Sequence, residues 1–196
     1  AMVTEKCSLK CRDCSNLMQY YEQPQHLDLD ELKETIDKLL LKTDRIGELR
    51  ILGGEPFMNP KFVKIVDAYL NETKIWKISI FSNASIFPNE EILSHLNHNK
   101  IFMSMSDYGI LSKNLKKWIY WCQQNNISYF ISKMDSWQDC GPLEKRNYSE
   151  EKLKAIYNTC ECNNLPTILK GRLYNCPYAA NAANLGAMML DEIEKD

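Results

Sequence analysis

"GELRILGGEP", residues 47–56, decides the fold. Leu49, Ile51 and Leu52 form a short apolar run that stops on two glycines, which reads as a buried strand ending in a tight turn. Downstream, residues 60–73 open on Pro60 and carry Phe62, Ile65, Val66, Tyr69 and Leu70 at i, i+3, i+4, i+7 and i+8, the spacing of an amphipathic helix. "WKISIFS" (76–82) is the next strand and residues 89–97 a short helix. "KIFMSMS" (100–106) is a strand, residues 112–125 a helix with Leu115, Trp118, Ile119 and Cys122 facing inward, and "ISYFISKM" (127–134) a further strand. Upstream, residues 28–43 put Leu29, Leu32, Ile36, Leu39 and Leu40 on one helical face behind Asp28 as N-cap. Connections of helix length make neighbouring strands parallel, with right-handed crossovers. The expected class is α/β, an open parallel sheet or a partial (β/α) barrel of about five to six parallel strands over residues 1–134. Residues 135–196 break the alternation. A helix over 149–159 capped by Ser149 is followed by a hairpin turning at Lys170-Gly171, a small cysteine-rich appendage.

Composition narrows the function. The chain has 196 residues, enough for a core without disulfide staples. Its 24 basic and 26 acidic residues leave a net charge of −2, which gives no support to nucleic-acid or membrane-surface binding. No apolar run reaches the length of a membrane span, and the early charges of Glu5 and Lys6 do not read as a secretory leader. The expected location is cytoplasmic, where eight cysteines point to metal or redox chemistry rather than disulfides.

Cys7, Cys11 and Cys14 stand in "CSLKCRDC", spaced C-x3-C-x2-C, after a first short strand. Thiolates that close together need a cation to neutralise them, and soft thiolates select zinc, copper(I) or iron–sulfur. A structural zinc site wants a fourth ligand nearby, and none is in sequence reach; His26 is twelve residues on. Three cysteines suit a 4Fe–4S cluster with one iron left open. Ligand-binding loops in such folds collect at the C-terminal ends of the strands. The cysteines, Gly53-Gly54-Glu55 and Asn83 all follow expected strands.

This combination, C-x3-C-x2-C after the first strand and "LGGEP" (52–56) after the second, resembles the radical S-adenosylmethionine (radical SAM) superfamily. The resemblance covers residues 1–134 and implies a partial (β/α) barrel. It implies a 4Fe–4S cluster on Cys7, Cys11 and Cys14, with SAM chelating the open iron. It implies that Gly53 and Gly54 admit the SAM amine and that Glu55 stabilises its ammonium-like end. Ser104 or Ser106 in "MSMSD" would contact the ribose, and Asn83 in "FSN" stands where the family often has a polar residue. No catalytic side chain is implied, because the cofactor supplies the reactivity. One position departs from the family: the aromatic expected before the third cysteine is Asp13, so Tyr20, Tyr21 or Trp137 is expected to cover the adenine instead.

Cys140, Cys160, Cys162 and Cys176 resemble the auxiliary-cluster regions called SPASM and its shorter form Twitch, which implies one further 4Fe–4S cluster; zinc is the alternative for the same four thiols. Cys122 reads as a buried inert thiol. The expected function is reductive cleavage of SAM to a 5′-deoxyadenosyl radical that abstracts hydrogen from a peptide or small-molecule substrate. The expected electron donor is a reductase, flavodoxin or ferredoxin. The alternatives are an activating enzyme for a glycyl-radical protein and a non-catalytic iron–sulfur or zinc protein.

Overall fold

The structure, a computed structural model, describes residues 1–134, 139, 143 and 147–187. Its centre is a four-stranded parallel sheet in the order β1 (Leu49–Ile51), β2 (Ile78–Ser82), β3 (Ile101–Asp107), β4 (Ser128–Lys133). Helices α1 (Leu29–Lys42), α2 (Val63–Leu70), α3 (Glu90–His95) and α4 (Leu115–Gln124) alternate with the strands. Each starts where local chemistry permits. Asp28 accepts from the backbone N–H of Asp30 (2.9 Å) and Glu31 (3.2 Å), and Asn89 accepts from Ile92 (3.0 Å), so both cap otherwise unpaired donors. The second helix begins at Val63, not Pro60, because residues 59–65 first make turns of i→i+3 type, with Phe62 N–H on Asn59 and Ile65 N–H on Phe62.

Strand alternation sorts the sheet into two unlike faces. Leu49, Ile51, Ile78, Ile80, Ile101, Met103 and Met105 pack under the helices with Ile36, Ile65, Val66 and Trp118. Trp118 anchors α4 there. It is fully buried, its ring centre lies 4.9 Å from Phe57 and 5.0 Å from Phe87, and its indole N–H donates to the Ile86 carbonyl at 2.8 Å. The opposite face carries Arg50, Phe81, Phe102, Ser104, Ser106, Ser128, Phe130 and Ser132 in register, and Phe130 is 58% exposed. A parallel sheet ordinarily buries both faces; here this face stays partly exposed.

The expectation of five to six parallel strands is corrected here. Four are regular. The segment before Cys7 runs parallel to the end of β1, through Val3 N–H on Leu52, Gly54 N–H on Thr4 and Glu55 N–H on Lys6, yet forms just isolated bridges, Met2–Leu52 with that end and Thr4–His26 on its other side. Its ladder goes no further because the Glu5 N–H turns to the Gln25 carbonyl (2.9 Å) and the Val3 carbonyl accepts from the Leu27 N–H (3.2 Å). No sixth parallel strand follows β4 among the described residues. Strands β5 (Thr167–Leu169) and β6 (Arg172–Tyr174) are antiparallel to each other, although Met2 N–H does donate to the Ile168 carbonyl (3.1 Å). Lys170 (φ 46°) and Gly171 (φ 70°) occupy the two left-handed positions that their tight turn requires.

Helix α5 (Glu150–Thr159) is capped by Ser149 and buries none of its residues, whereas α6 (Pro177–Asn184) buries Pro177, Ala180, Asn181, Ala182 and Ala183. With β5, β6, Met2, Met18, Tyr21 and Leu27, α6 builds a second core against which Cys7 and Cys14 themselves pack. Residues on both sides of position 134 therefore share this core. No described helix is long and apolar enough to cross a membrane.

Candidate functional site

The cysteine loop leaves the N-terminal segment at Cys7 and is tied down at both ends. Leu17, in the left-handed region at φ 55°, turns the chain so that its N–H reaches the Cys14 carbonyl at 2.9 Å. Asn16 donates to the Gly53 carbonyl (2.9 Å), joining the loop to the turn after β1, and Gln19 donates to the Arg12 carbonyl (2.8 Å).

The two glycines are explained by packing. A Cβ on Gly53 would stand 2.5 Å from the Thr4 carbonyl oxygen, and one on Gly54 would overlap the Lys6 carbonyl and the Cys7 Cβ. The space freed by their missing side chains is filled by the strand that delivers Cys7. The expected approach of the SAM amine concerns the backbone of these glycines, and the packing of the cysteine-bearing strand is a second demand on the same two positions.

Glu55 lies between the turn after β1 and the end of β2. It is fully buried; one carboxylate oxygen accepts from the Ser82 hydroxyl (2.9 Å) and the other from the Asn83 N–H (2.8 Å), while the Phe57 N–H caps it at 3.4 Å. Burial pushes its carboxyl up to about 7 against these opposing hydrogen bonds. Its contacts make it the clasp between the turn after β1 and the end of β2.

Asn83 is 8% exposed, and its side-chain nitrogen lies 3.7 Å from Cys7 Sγ and 3.0 Å from Ser8 Oγ. Ser8 Oγ in turn meets Ser85 Oγ at 2.5 Å. The Leu9 N–H adds a second donor to Cys7 Sγ at 3.5 Å. Ser104 and Ser106 share the open face of the sheet, with Ser104 paired to Phe81. Asp13 does not point into a site of its own. Its carboxylate grips the adjacent Arg12, with an N···O distance of 3.0 Å. Of the side chains considered for covering the adenine, Tyr21 is corrected: it is buried, and its hydroxyl donates to Asn181 (2.7 Å). Tyr20 is 43% exposed, and Trp137 lies outside the described residues.

Whether these residues suit an iron–sulfur group can be tested on their own chemistry. Cys7, Cys11 and Cys14 are free and half-buried. Burial pushes the Cys7 thiol up to about 11, the Leu9 N–H opposes this, and the charges of Glu55, Cys14 and Cys11 push it further. Burial also raises Cys14, against N–H groups of Met18, Asn16 and Leu17 aimed at its sulfur. These thiols thus sit close enough to repel one another as thiolates, and N–H donors surround two of them. Among the described residues no three Cys, His, Asp or Glu side chains close around a single metal ion. Half-buried thiols on one short loop, with N–H donors aimed at two of their sulfurs, suit a soft metal group such as iron–sulfur. Asn16 and Gln19, which sequence reasoning missed, each keep a buried side-chain oxygen without a partner beside this loop. An asparagine two residues past the last cysteine was the only signal.

The second set is only partly placed. Cys160 ends α5, Cys162 follows in a turn, and Cys176 caps α6, its sulfur accepting from the Ala179 N–H at 3.3 Å. Burial raises the Cys176 thiol; the Ala179 and Tyr178 N–H groups oppose that, and Cys162 and Cys160 add to it. Cys140 lies outside the described residues. Cys122 is fully buried in the main core, and its thiol is pushed up to about 12.

An α/β protein whose parallel sheet presents a thiol-lined loop at its strand ends is the class that the fold and the site define. Residues 2–106 match the radical SAM superfamily, more than half of the chain, and the chain belongs to that superfamily. The superfamily implies a 4Fe–4S cluster and SAM. The chain is similar to GTP 3′,8-cyclase of Synechocystis sp., with 31% identity over 85 residues, 43% of this chain and 25% of that protein. It thus spans about a quarter of that relative's length. Among solved structures it is similar to Streptococcus suis SuiB bound to S-adenosylmethionine, with a TM-score of 0.47 and 15% identity, over 80% of this chain and 45% of that one.

Proposed function

We propose that this chain carries out radical SAM chemistry, with Cys7, Cys11 and Cys14 holding a 4Fe–4S cluster and SAM taking its open iron. The observation that supports this best is the loop itself. Three half-buried thiols are fastened to the turn after β1 through Asn16 and to the end of β2 through Asn83. Such a group would supply one electron, received from an external donor, for reductive cleavage of SAM to methionine and a 5′-deoxyadenosyl radical that would take hydrogen from substrate. The chain's own part is to fix the thiols, donate to their sulfurs and exclude water. Glu55 holds the two strand ends in register, and Gly53 and Gly54 let the cysteine-bearing strand lie flat against them. We read the sheet as part of a (β/α) barrel wall, with Ser104 and Ser106 on its lumen face near the SAM ribose. The substrate is a peptide or small molecule undergoing modification or net oxidation, and the electron comes from a reductase, flavodoxin or ferredoxin.

Anaerobic reconstitution with iron and sulfide, followed by SAM and dithionite, tests this reading. 5′-Deoxyadenosine is the expected product. A reconstituted cluster that yields none would sink the reading and favour a non-catalytic metal protein.

For Cys140, Cys160, Cys162 and Cys176 we propose a Twitch-like auxiliary 4Fe–4S cluster, supported by the mutual influence of the three described thiols. About four irons should persist in the Cys7, Cys11, Cys14 triple alanine variant. Zinc in their place would give the alternative.

A further inference from the structure

We propose that Asn83 is a positioning residue that sets the reduction potential of the cluster site, by donating its side-chain N–H to Cys7 Sγ. The inference rests on the cluster reading above and adds a role for one side chain within it.

The geometry fixes which end of the amide faces the sulfur. Asn83 Oδ1 accepts from the Ser85 N–H at 2.9 Å, so the nitrogen must turn to Cys7 Sγ (3.7 Å) and Ser8 Oγ (3.0 Å). A nitrogen with two hydrogens can serve both acceptors. The backbone is held just as firmly. The Asn83 N–H donates to Glu55 and its carbonyl accepts from the Ser112 hydroxyl, both at 2.8 Å. Ala84 adopts the left-handed region at φ 56° while fully buried, a conformation that costs energy in a non-glycine residue and persists only where its surroundings impose it. The bent turn 83–85 therefore aims one amide at one sulfur.

A cluster that takes up one electron from an external low-potential reductant gains one negative charge, spread partly over its thiolate sulfurs. An N–H donor stabilises that reduced state more than the oxidised one, and more so where water is excluded. Asn83 is 8% exposed, so solvent screens this contact little. The Leu9 N–H is a backbone donor to the same sulfur and survives any side-chain change, so removing Asn83 weakens the effect without abolishing it.

The test is a spectroelectrochemical titration of the reconstituted full chain, with iron and sulfide counted in every sample. In Asn83→Leu the ratio of reduced to oxidised cluster at a fixed potential should fall by about threefold to tenfold. Asn83→Asp keeps the shape and the acceptor for the Ser85 N–H but replaces the donor with a negative charge, so it should fall further. An unchanged ratio in both variants at full iron content would overturn the proposal. Wild-type protein that assembles no cluster would instead overturn the parent reading. Should either variant fail to assemble, the wild type still decides. Selective 15N labelling of asparagine side chains should give a nitrogen coupling in the pulsed EPR of the reduced cluster, and its absence would overturn the proposal.

Discussion

The two cysteine regions of this molecule are built in opposite ways. The loop of Cys7, Cys11 and Cys14 is fastened on every side: to Gly53 by Asn16, to the end of β2 by Asn83, and to the second core by the packing of Cys7 and Cys14. The later thiols hang on elements of unequal strength. Cys176 starts α6, which buries five residues, while Cys160 and Cys162 follow α5, which buries none. The difference teaches that a thiol site is pre-organised by the backbone elements behind it and not by the density of cysteines in sequence. A scaffold that already holds three thiols in place spends less binding energy on ordering the loop when metal arrives.

The largest test of that contrast is Gly54→Ala. Its methyl group would run into the Lys6 carbonyl and Cys7 Cβ, neither of which is a flexible tip. A loss of about 3 kcal/mol in urea unfolding is expected, together with poor iron incorporation at the first site. A neutral effect would mean that the strand delivering Cys7 is loosely held, and the comparison would fail.

Glu55→Gln comes next, because an amide cannot accept on both arms. Its nitrogen would face either the Asn83 N–H or the Ser82 hydroxyl side, costing about 2 kcal/mol at pH 5. The pH dependence has a definite sign. The carboxyl rises from 4.5 unfolded to about 7 folded, so between those values the folded state binds more protons. Its contribution is complete below about 4.5 and is lost as pH rises through 7. The gap between wild type and Glu55→Gln, which does not titrate there, should therefore narrow from pH 5 to pH 8 in denaturant titrations. A gap that holds constant would show that Glu55 is ionised throughout.

Asn181→Ala probes the strong half of the second region. Asn181 is fully buried, accepts from the Tyr21 hydroxyl (2.7 Å) and donates to the Pro177 carbonyl (2.8 Å). Its neighbour Asn184 reaches Glu5 and the same tyrosine, both at 2.8 Å. Truncation leaves the Tyr21 hydroxyl proton without its acceptor, while Asn184 still donates to its oxygen, and should cost about 1.5 kcal/mol. Amide exchange should accelerate in α6 and in residues 2–5 together, since one polar knot holds both.

Which of these features could be read from sequence follows from what a pattern encodes. Asp28 and Ser149 announced their helices because a cap is local, and the short apolar runs 76–82 and 100–106 announced the central strands. Helix α6 was not foreseen. "PYAANAAN" has no stripe of large apolar residues; it is buried through alanines that allow close approach and through asparagines paired inside the core. Gly53, Gly54 and Glu55 stood out as a group, but the packing of Gly53 and Gly54 on Thr4 and Lys6 and the clasp of Glu55 on Ser82 and Asn83 were not legible, because a motif does not show what fills the space beside it. Tyr21 looked like a residue of the mouth of the site, and only the tertiary fold shows its hydroxyl occupied by Asn181.

The smallest expected effect tests the weak half. Leu153, Ile156 and Tyr157 of α5 are 51%, 45% and 56% exposed, so Leu153→Ser removes little buried area. Its effect on unfolding should stay below about 0.5 kcal/mol, while the same helix should exchange its amides faster than α6. Spacing of i, i+3 and i+4 puts these three side chains on one stripe, which is how a helix prepares a buried face. A loss of about 2 kcal/mol would mean that the stripe is covered in the folded protein. The two cysteine regions would then be equally anchored, and the contrast between them would vanish. Measuring Leu153→Ser with and without iron at the second site separates the possibilities: a cost that appears only in the iron-loaded protein would show that metal, not packing, brings α5 into the fold.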